Sequence, residues 1–389
     1  MGLQNKASSS YGGFEQGPIR PPSEVHSLLI RVTRNCPWNR CAFCPVYKKT
    51  KFSVRPVSHV KRDIDCVYEH VETLRQMAHH SGAVPPTELD RVAAQIPQAE
   101  LQAFAAAVQW FFAGGMRCVF LQDADALVTQ PADLVEILGH LKRRFASVER
   151  ITSYSRAQTI AARKDSDLKA IHDAGLDRIH VGLESGSDQV LKRVTKGITK
   201  EKHIIAGLKA KSAGMELSEY VMPGLGGTEF SEIHALETAD ALNRIDPDFI
   251  RIRTLAVPRN VPLFQECEAG RFEKCSDLMV AKEILMLIEE LDGITSVVKS
   301  DHILNLFGDL EGTLPHDKEH MTGMLRTYLA MDPQRQRLYQ VGRRLGIFSG
   351  IGDMENPGRM GEVERVYREL AVTPANVDRI TDEMMTRYL

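Results

Sequence analysis

The stretch Ser27-Leu28-Leu29-Ile30-Arg31-Val32-Thr33-Arg34-Asn35-Cys36-Pro37-Trp38-Asn39-Arg40-Cys41-Ala42-Phe43-Cys44 decides how the rest of the chain is read. Its first seven residues form an apolar, partly β-branched run that predicts a strand. Three cysteines follow within nine residues, on a loop that leaves that strand at once. Thiolates are soft ligands, so such a loop suits zinc or an iron–sulfur cluster and not magnesium or calcium. Held on a four-iron cluster, Cys36, Cys41 and Cys44 would fill three corners and leave one iron open.

The other cysteines read differently. The chain has seven, an odd total, and no charged-then-apolar segment at its start, a pattern expected of a reduced, cytoplasmic protein. Cys118 lies in the apolar run Cys118-Val119-Phe120-Leu121 and reads as a buried small hydrophobe. Cys267 and Cys275 stand eight positions apart with no further ligands at a recognisable spacing, so no second metal site is expected there.

With 43% hydrophobic and 26% charged residues over 389 positions, the composition is that of a globular protein with a large core. No apolar run approaches membrane-spanning length. A formal charge of −2 argues against a general affinity for nucleic acid. The most basic cluster, Arg326, Arg335, Arg337, Arg343 and Arg344, reads as a solvated helix face with intrachain pairing.

Residues 1–24, rich in Ser, Gly and Pro, predict a mobile or extended lead-in. Strands are expected at 26–33, 116–122, 150–155, 177–183, 216–222 and 248–256. Helices are expected at 131–145, 164–174, 199–213 and 230–245, where apolar residues recur at three and four positions. This alternation implies right-handed crossovers and a parallel sheet: an α/β fold of the partial (β/α)6 barrel type, with ligands at the C-terminal ends of the strands. The cysteine loop follows the first strand and so falls at that end. Residues 55–112 form a helical insertion broken at Pro85-Pro86, and the chain after 260 becomes mainly helical. The expected domains are the segment 1–24, a barrel over 25–265 and a helical C-terminal extension over 266–389.

A cysteine loop directly after strand one of a partial barrel, with an aromatic residue before its last cysteine, resembles the radical S-adenosylmethionine (SAM) enzymes. The first spacer here, Pro37 to Arg40, is one residue longer than the spacing common in that family. The resemblance implies a [4Fe–4S] cluster on Cys36, Cys41 and Cys44, with SAM on the open iron. Reductive cleavage of SAM would then yield a 5′-deoxyadenosyl radical that abstracts hydrogen from a substrate. Phe43 is the aromatic of that loop.

Gln122, Asp123 and Asp125 occupy the place of the family's Gly-Gly-Glu turn after strand two, where carbonyls and carboxylates would accept from the SAM ammonium; one aspartate would otherwise cap the next helix. Gly182-Leu183-Glu184-Ser185-Gly186 is similar to a segment of the branch that includes the tRNA-modifying and coproporphyrinogen-oxidase-like members, and places Glu184 and Ser185 at SAM. Gly224, in the Gly-rich turn after strand five, Arg253 and Val257 around strand six, and Ser153 and Arg156 on strand three complete the implied cofactor-binding set. Catalytic residues acting on the substrate are not legible.

The resemblance further implies a flavodoxin- or ferredoxin-type reductant, anaerobic operation and no membrane partner. The subfamilies with an N-terminal cysteine-bearing domain, an added acyl-transfer domain or a cysteine-rich tail do not match, so a stand-alone enzyme is expected. The alternative from another class is a zinc-binding RNA or protein interaction module. It needs a fourth ligand at close spacing, which neither His59 nor Cys66 supplies.

Overall fold

A computed structural model describes residues 10–81 and 83–385. The chain divides into two compact units, one ending its first segment at Pro37 and continuing through Lys51–Tyr154 and Ser166–Arg178, the other made of Trp38–Thr50, Ser155–Asp165 and the chain from Ile179 onward.

The first unit carries β1 (Leu28–Arg31), β2 (Cys118–Gln122) and β3 (Arg150–Ser155) side by side and parallel. Leu28 lies opposite Val119, and Cys118 opposite Arg150. These strands are buried nearly throughout, as apolar runs in a sheet covered on both faces must be. The insertion between β1 and β2 folds as α1 (Val57–Ser81), α2 (Pro86–Ala93) and α3 (Leu101–Ala113), with α2 opening on Pro86 at its first position. Proline fits there because the first helical N–H has no intrahelical acceptor. Helix α4 (Pro131–Arg144) follows β2 and buries Leu134, Ile137, Leu138 and Leu141, the three-and-four spacing of one helix face.

Residues 1–9 of the expected lead-in lie outside the described residues. Residues 10–21 carry no helix or strand and Pro22–Glu24 form a short 3-10 turn, yet the segment is docked: Phe14 is buried, and Glu15 pairs with Arg31, Arg34 and Arg55.

The second unit begins with α5 (Ala157–Ala162), while α6 (Asp165–Asp173) belongs almost entirely to the first. Then come β4 (Arg178–Glu184), α7 (Asp188–Arg193), α8 (Lys200–Ser212), β5 (Glu216–Val221), α9 (Gly227–Ile245) and β6 (Phe249–Ile252). Every strand expected from the sequence is present, and the class is α/β with a mostly parallel sheet.

Two short strands at the far edge of the sheet were not expected. After α10 (Pro262–Glu268) and α11 (Asp277–Glu290), β7 (Val297–Lys299) pairs parallel to β6, and β8 (Gly312–Thr313) closes that side antiparallel to β7. Three residues are too few for alternation to show, so the region reads as helical in sequence although it extends the sheet. The remainder is helical: α12 (Lys318–Leu329), α13 (Pro333–Arg344), α14 (Pro357–Glu369) and α15 (Val377–Met385). The arginines there are spent inside the chain, Arg344 on Asp277 at 2.5 Å, Arg326 on Glu289 at 2.6 Å and Arg335 on Glu355 at 2.9 Å. No helix among the described residues is long and apolar enough to cross a membrane.

Candidate functional site

In the second unit, the segment Trp38–Thr50 presents Cys41 and Cys44 on a fixed backbone. The Ala42 N–H donates to the Val194 carbonyl at 2.8 Å, and the Ala42 carbonyl accepts from Leu263 N–H at 3.0 Å. The loop is therefore stitched between the ends of α7 and α10. Ala42 and Phe43 sink into an apolar cluster with Val190, Met222, Leu255 and Phe272, and Cys41, Cys44 and Val257 pack on its rim. Lys48 ties the turn by donating to the Cys41 carbonyl at 2.8 Å. Asn39 sits at φ 48°, a left-handed conformation that Asn tolerates better than most residues, and its amide donates to the Tyr47 carbonyl.

Glu184 ends β4 with φ 62°, in the same left-handed region, where a glutamate is strained. Its carbonyl accepts from Met222 N–H at 3.0 Å, and its carboxylate pairs with Lys196 at 2.9 Å. Lys196 lies 5.8 Å from the centroid of the Phe43 ring. Burial alone would lower its pKa, but the Glu184 carboxylate and the Cys41 sulfur hold the ammonium above the ordinary lysine value. The same positive charge acts on His203, which burial first and Lys196 second push down to about 3. Burial also pushes the Glu219 carboxyl well above the usual glutamate value, opposed by Lys196 and reinforced by Glu184. This is a desolvated cluster of opposed charges beside the Cys41 thiol, the setting in which perturbed groups mark function.

Trp38 flanks it. Its indole N–H donates to the Thr195 carbonyl at 2.8 Å, and the guanidinium groups of Arg40 and Arg156 stand 5.1 and 5.2 Å from its ring centroid. Arg156 also donates to the Lys196 carbonyl at 3.2 Å. Gly197 makes this packing possible: at φ 75°, any Cβ would lie 2.3 Å from the indole.

Ser185 and Gly224 belong to a supporting network. The Ser185 hydroxyl is bonded to His234 at 2.8 Å, whose other ring nitrogen lies 3.0 Å from the Met222 carbonyl. The Gly224 N–H donates to Glu283 at 2.6 Å, and Ser231 donates to the same carboxylate. The Gly-rich turn, with Gly224 at φ 84°, is thus held from α9 and α11. Arg253 follows β6, its N–H bonded to the Val221 carbonyl at 3.0 Å; its charge, after burial, contributes to lowering the His302 pKa to about 4.

The first unit handles its predicted residues in another way. Asp123, fully buried, accepts from Arg31 Nε at 2.9 Å and Nη2 at 2.6 Å, and from the Asn35 N–H at 3.1 Å. It thereby fixes the backbone one residue before Cys36. The Gln122 amide exchanges bonds with Gly17, at 2.7 Å from its N–H and 3.2 Å to its carbonyl, and donates to Ile19 at 2.7 Å. Asp125 is buried and its side chain makes no capping bond to the short turn that follows. The Ser153 hydroxyl donates to the Tyr154 carbonyl at 2.8 Å. Cys36 is half-buried, like Cys41 and Cys44.

Two functional candidates escaped the sequence reading. Lys196 lies twelve residues beyond Glu184, past α7, and only the fold returns it to that carboxylate. Glu283 carries no motif; a glutamate inside the apolar face of α11 was the available signal.

Residues 30–239 match the Radical SAM superfamily. The chain belongs to the Radical SAM superfamily. That family uses a [4Fe–4S] cluster and SAM, and its members are enzymes. Among curated proteins, the chain is 25% identical over 232 residues to the 4′-phospho-dehydrooxetanocin synthase of Priestia megaterium, covering 56% of this chain and 26% of that one. It is 21% identical over 273 residues to the tRNA uridine(34) acetyltransferase of Methanocaldococcus infernus, 66% and 48% of the two chains. It is 33% identical over 155 residues to the tRNA-2-methylthio-N(6)-dimethylallyladenosine synthase of Fusobacterium nucleatum, 38% and 33%. The chain thus spans between a quarter and a half of the length of these relatives. The second and third of these likenesses are consistent with the branch that the Gly182–Gly186 segment resembles, which includes tRNA-modifying and coproporphyrinogen-oxidase-like members.

Proposed function

We propose that this radical SAM enzyme holds its cluster on Cys36, Cys41 and Cys44 and abstracts hydrogen from its substrate. Three half-buried thiols, two of them on the rim of an apolar cluster, fit an iron–sulfur group in donor chemistry and in dielectric. When bound, the cluster supplies the electron that cleaves SAM reductively. Phe43 and Ala42 anchor the loop, and its stitching to Val194 and Leu263 keeps two of the sulfurs in place.

The observation that carries the reading is the strained Glu184 paired with the largely covered Lys196 beside Cys41. An ammonium and a carboxylate side by side complement the carboxylate and ammonium of a free amino-acid end, which is what the methionyl part of SAM offers. Lys196 would take the carboxylate and Glu184 the ammonium or the ribose hydroxyls. Gly224, Val257 and Arg253 would border the rest of the cofactor, with Arg156 acting through Trp38 and Lys196. Asp123 would fix Asn35 ahead of Cys36. A small one-electron donor protein is the fitting reductant. Nothing supports the zinc-module alternative.

The test is anaerobic reconstitution with iron and sulfide, followed by SAM, dithionite and chromatography for 5′-deoxyadenosine. Its formation, dependent on the three cysteines, is the expected result. Bound zinc with no iron uptake and no SAM cleavage would overturn the assignment.

A further inference from the structure

We propose that Cys66, His70 and Glu100 form a second metal site, for a divalent ion of the zinc class, within the helical insertion. Cys66 and His70 are one helical turn apart on α1, the spacing that sets two ligands on one face. Glu100 immediately precedes α3 and brings a carboxylate to them from the second helix. The three donor atoms lie within 4.8 Å of one another: Cys66 Sγ is 3.8 Å from His70 Nε2, which is 3.6 Å from Glu100 Oε2.

Tetrahedral zinc, with bonds of about 2.3 Å to sulfur and about 2.0–2.1 Å to nitrogen and oxygen, separates its ligand atoms by about 3.3–3.6 Å. The Cys66–His70 and His70–Glu100 separations exceed that by at most a few tenths of an ångström and the Cys66–Glu100 separation is at most 4.8 Å, so an ion fits once the side chains close in on it. The His70 ring is set edge-on against Phe104, with centroids 5.4 Å apart and planes at 83°, which fixes the direction of Nε2.

The donor set has a chemical preference. One sulfur, one imidazole nitrogen and one carboxylate oxygen suit zinc or cobalt, whereas magnesium and calcium want oxygen alone. Cys66 and His70 are buried, while the Glu100 side chain is 38% exposed and gives the ion a route from solvent. Water would complete the coordination. Burial pushes the Cys66 thiol up to about 11, so without an ion it keeps its proton; metal binding forms the S–metal bond and releases that proton to solvent. The consequence is a clamp between α1 and α3, independent of the cysteine loop.

The experiment uses the full chain carrying Cys36→Ser, Cys41→Ser and Cys44→Ser, stripped with chelator and titrated with Co²⁺, then with Zn²⁺. One equivalent of Co²⁺ should bind with a thiolate charge-transfer band and tetrahedral ligand-field bands, and Zn²⁺ should displace it. Adding Cys66→Ser should abolish the charge-transfer band, and Glu100→Gln should weaken Co²⁺ binding by about 10- to 100-fold. In the otherwise native chain, Glu100→Gln should lower tightly bound zinc by one equivalent, which keeps the test valid if the triple variant misfolds. No Co²⁺ uptake by a folded triple variant, a band that survives Cys66→Ser, or unchanged zinc content in the native background would each overturn the site.

Discussion

Asp123 and Glu184 are both acids at the C-terminal ends of parallel strands, and a reading of sequence gives both to the same ligand. Their surroundings separate them. Asp123 is fully buried and accepts from a guanidinium and a backbone N–H, so its charge is spent on holding Arg31 and Asn35. Glu184 is strained in its backbone and paired with a single ammonium, Lys196, itself beside Cys41. A carboxylate in a tight local network acts as a bolt; one held by a single opposite charge is able to exchange partners. Position on the strand is common to both, and the partner decides the role.

The largest effect expected concerns the cysteine loop. Cys41→Ser should remove cluster iron and 5′-deoxyadenosine formation completely while far-ultraviolet dichroism stays unchanged, because the sulfur lies on the rim of its apolar cluster. Retained iron would contradict the assignment and leave Glu184 without a neighbour to serve.

Next comes the bolt. Asp123→Asn leaves a largely buried Arg31 undercompensated and should lower stability by about 3 kcal/mol in denaturant titrations. Glu184→Gln should reverse the pattern: SAM affinity of the reconstituted protein falls roughly tenfold, about 1.4 kcal/mol, and the stability loss is smaller than that of Asp123→Asn, because neither partner of its ion pair is fully buried. Similar stability losses in the two variants, with SAM affinity untouched, would erase the distinction.

The smallest effect sharpens the electrostatics around Glu184. The Glu219 pKa is raised on folding, so its contribution to stability is full below about pH 4.5 and is lost as pH rises through the folded value. Glu219→Gln should therefore melt higher than the parent at neutral pH, by about 2–4 °C, with the gap widening upward from about pH 4.5. A gap that narrows over that range would show that Lys196 keeps Glu219 ionised.

Much of this was legible beforehand. The β-branched runs placed the strands, the three-and-four spacing placed α4, α6, α8 and α9, and the cysteine spacing placed the loop. What could not be read was pairing across the chain. Gln122 and Asp123 look like site residues because they follow β2, yet Gln122 is bonded to Gly17 and Ile19, some 105 and 103 positions away. Lys196 and Glu283 have no local signature because their partners are fixed by topology. β7 was missed because its three residues pair with β6, and no periodicity records that.

Trp38, wedged between two guanidinium groups against Gly197, has one further consequence. The chain has two tryptophans, and the other, Trp110, is almost wholly buried in the first unit with its indole N–H on the Cys118 carbonyl at 2.9 Å. Each unit therefore carries its own fluorophore, one in an apolar interior and one half-exposed among cations. In the cluster-free protein their emission should differ in colour, and Trp38→Phe should leave a spectrum that reports the first unit alone. Cofactor capture beside Lys196 and unfolding around Trp110 become separable optical signals without any added label.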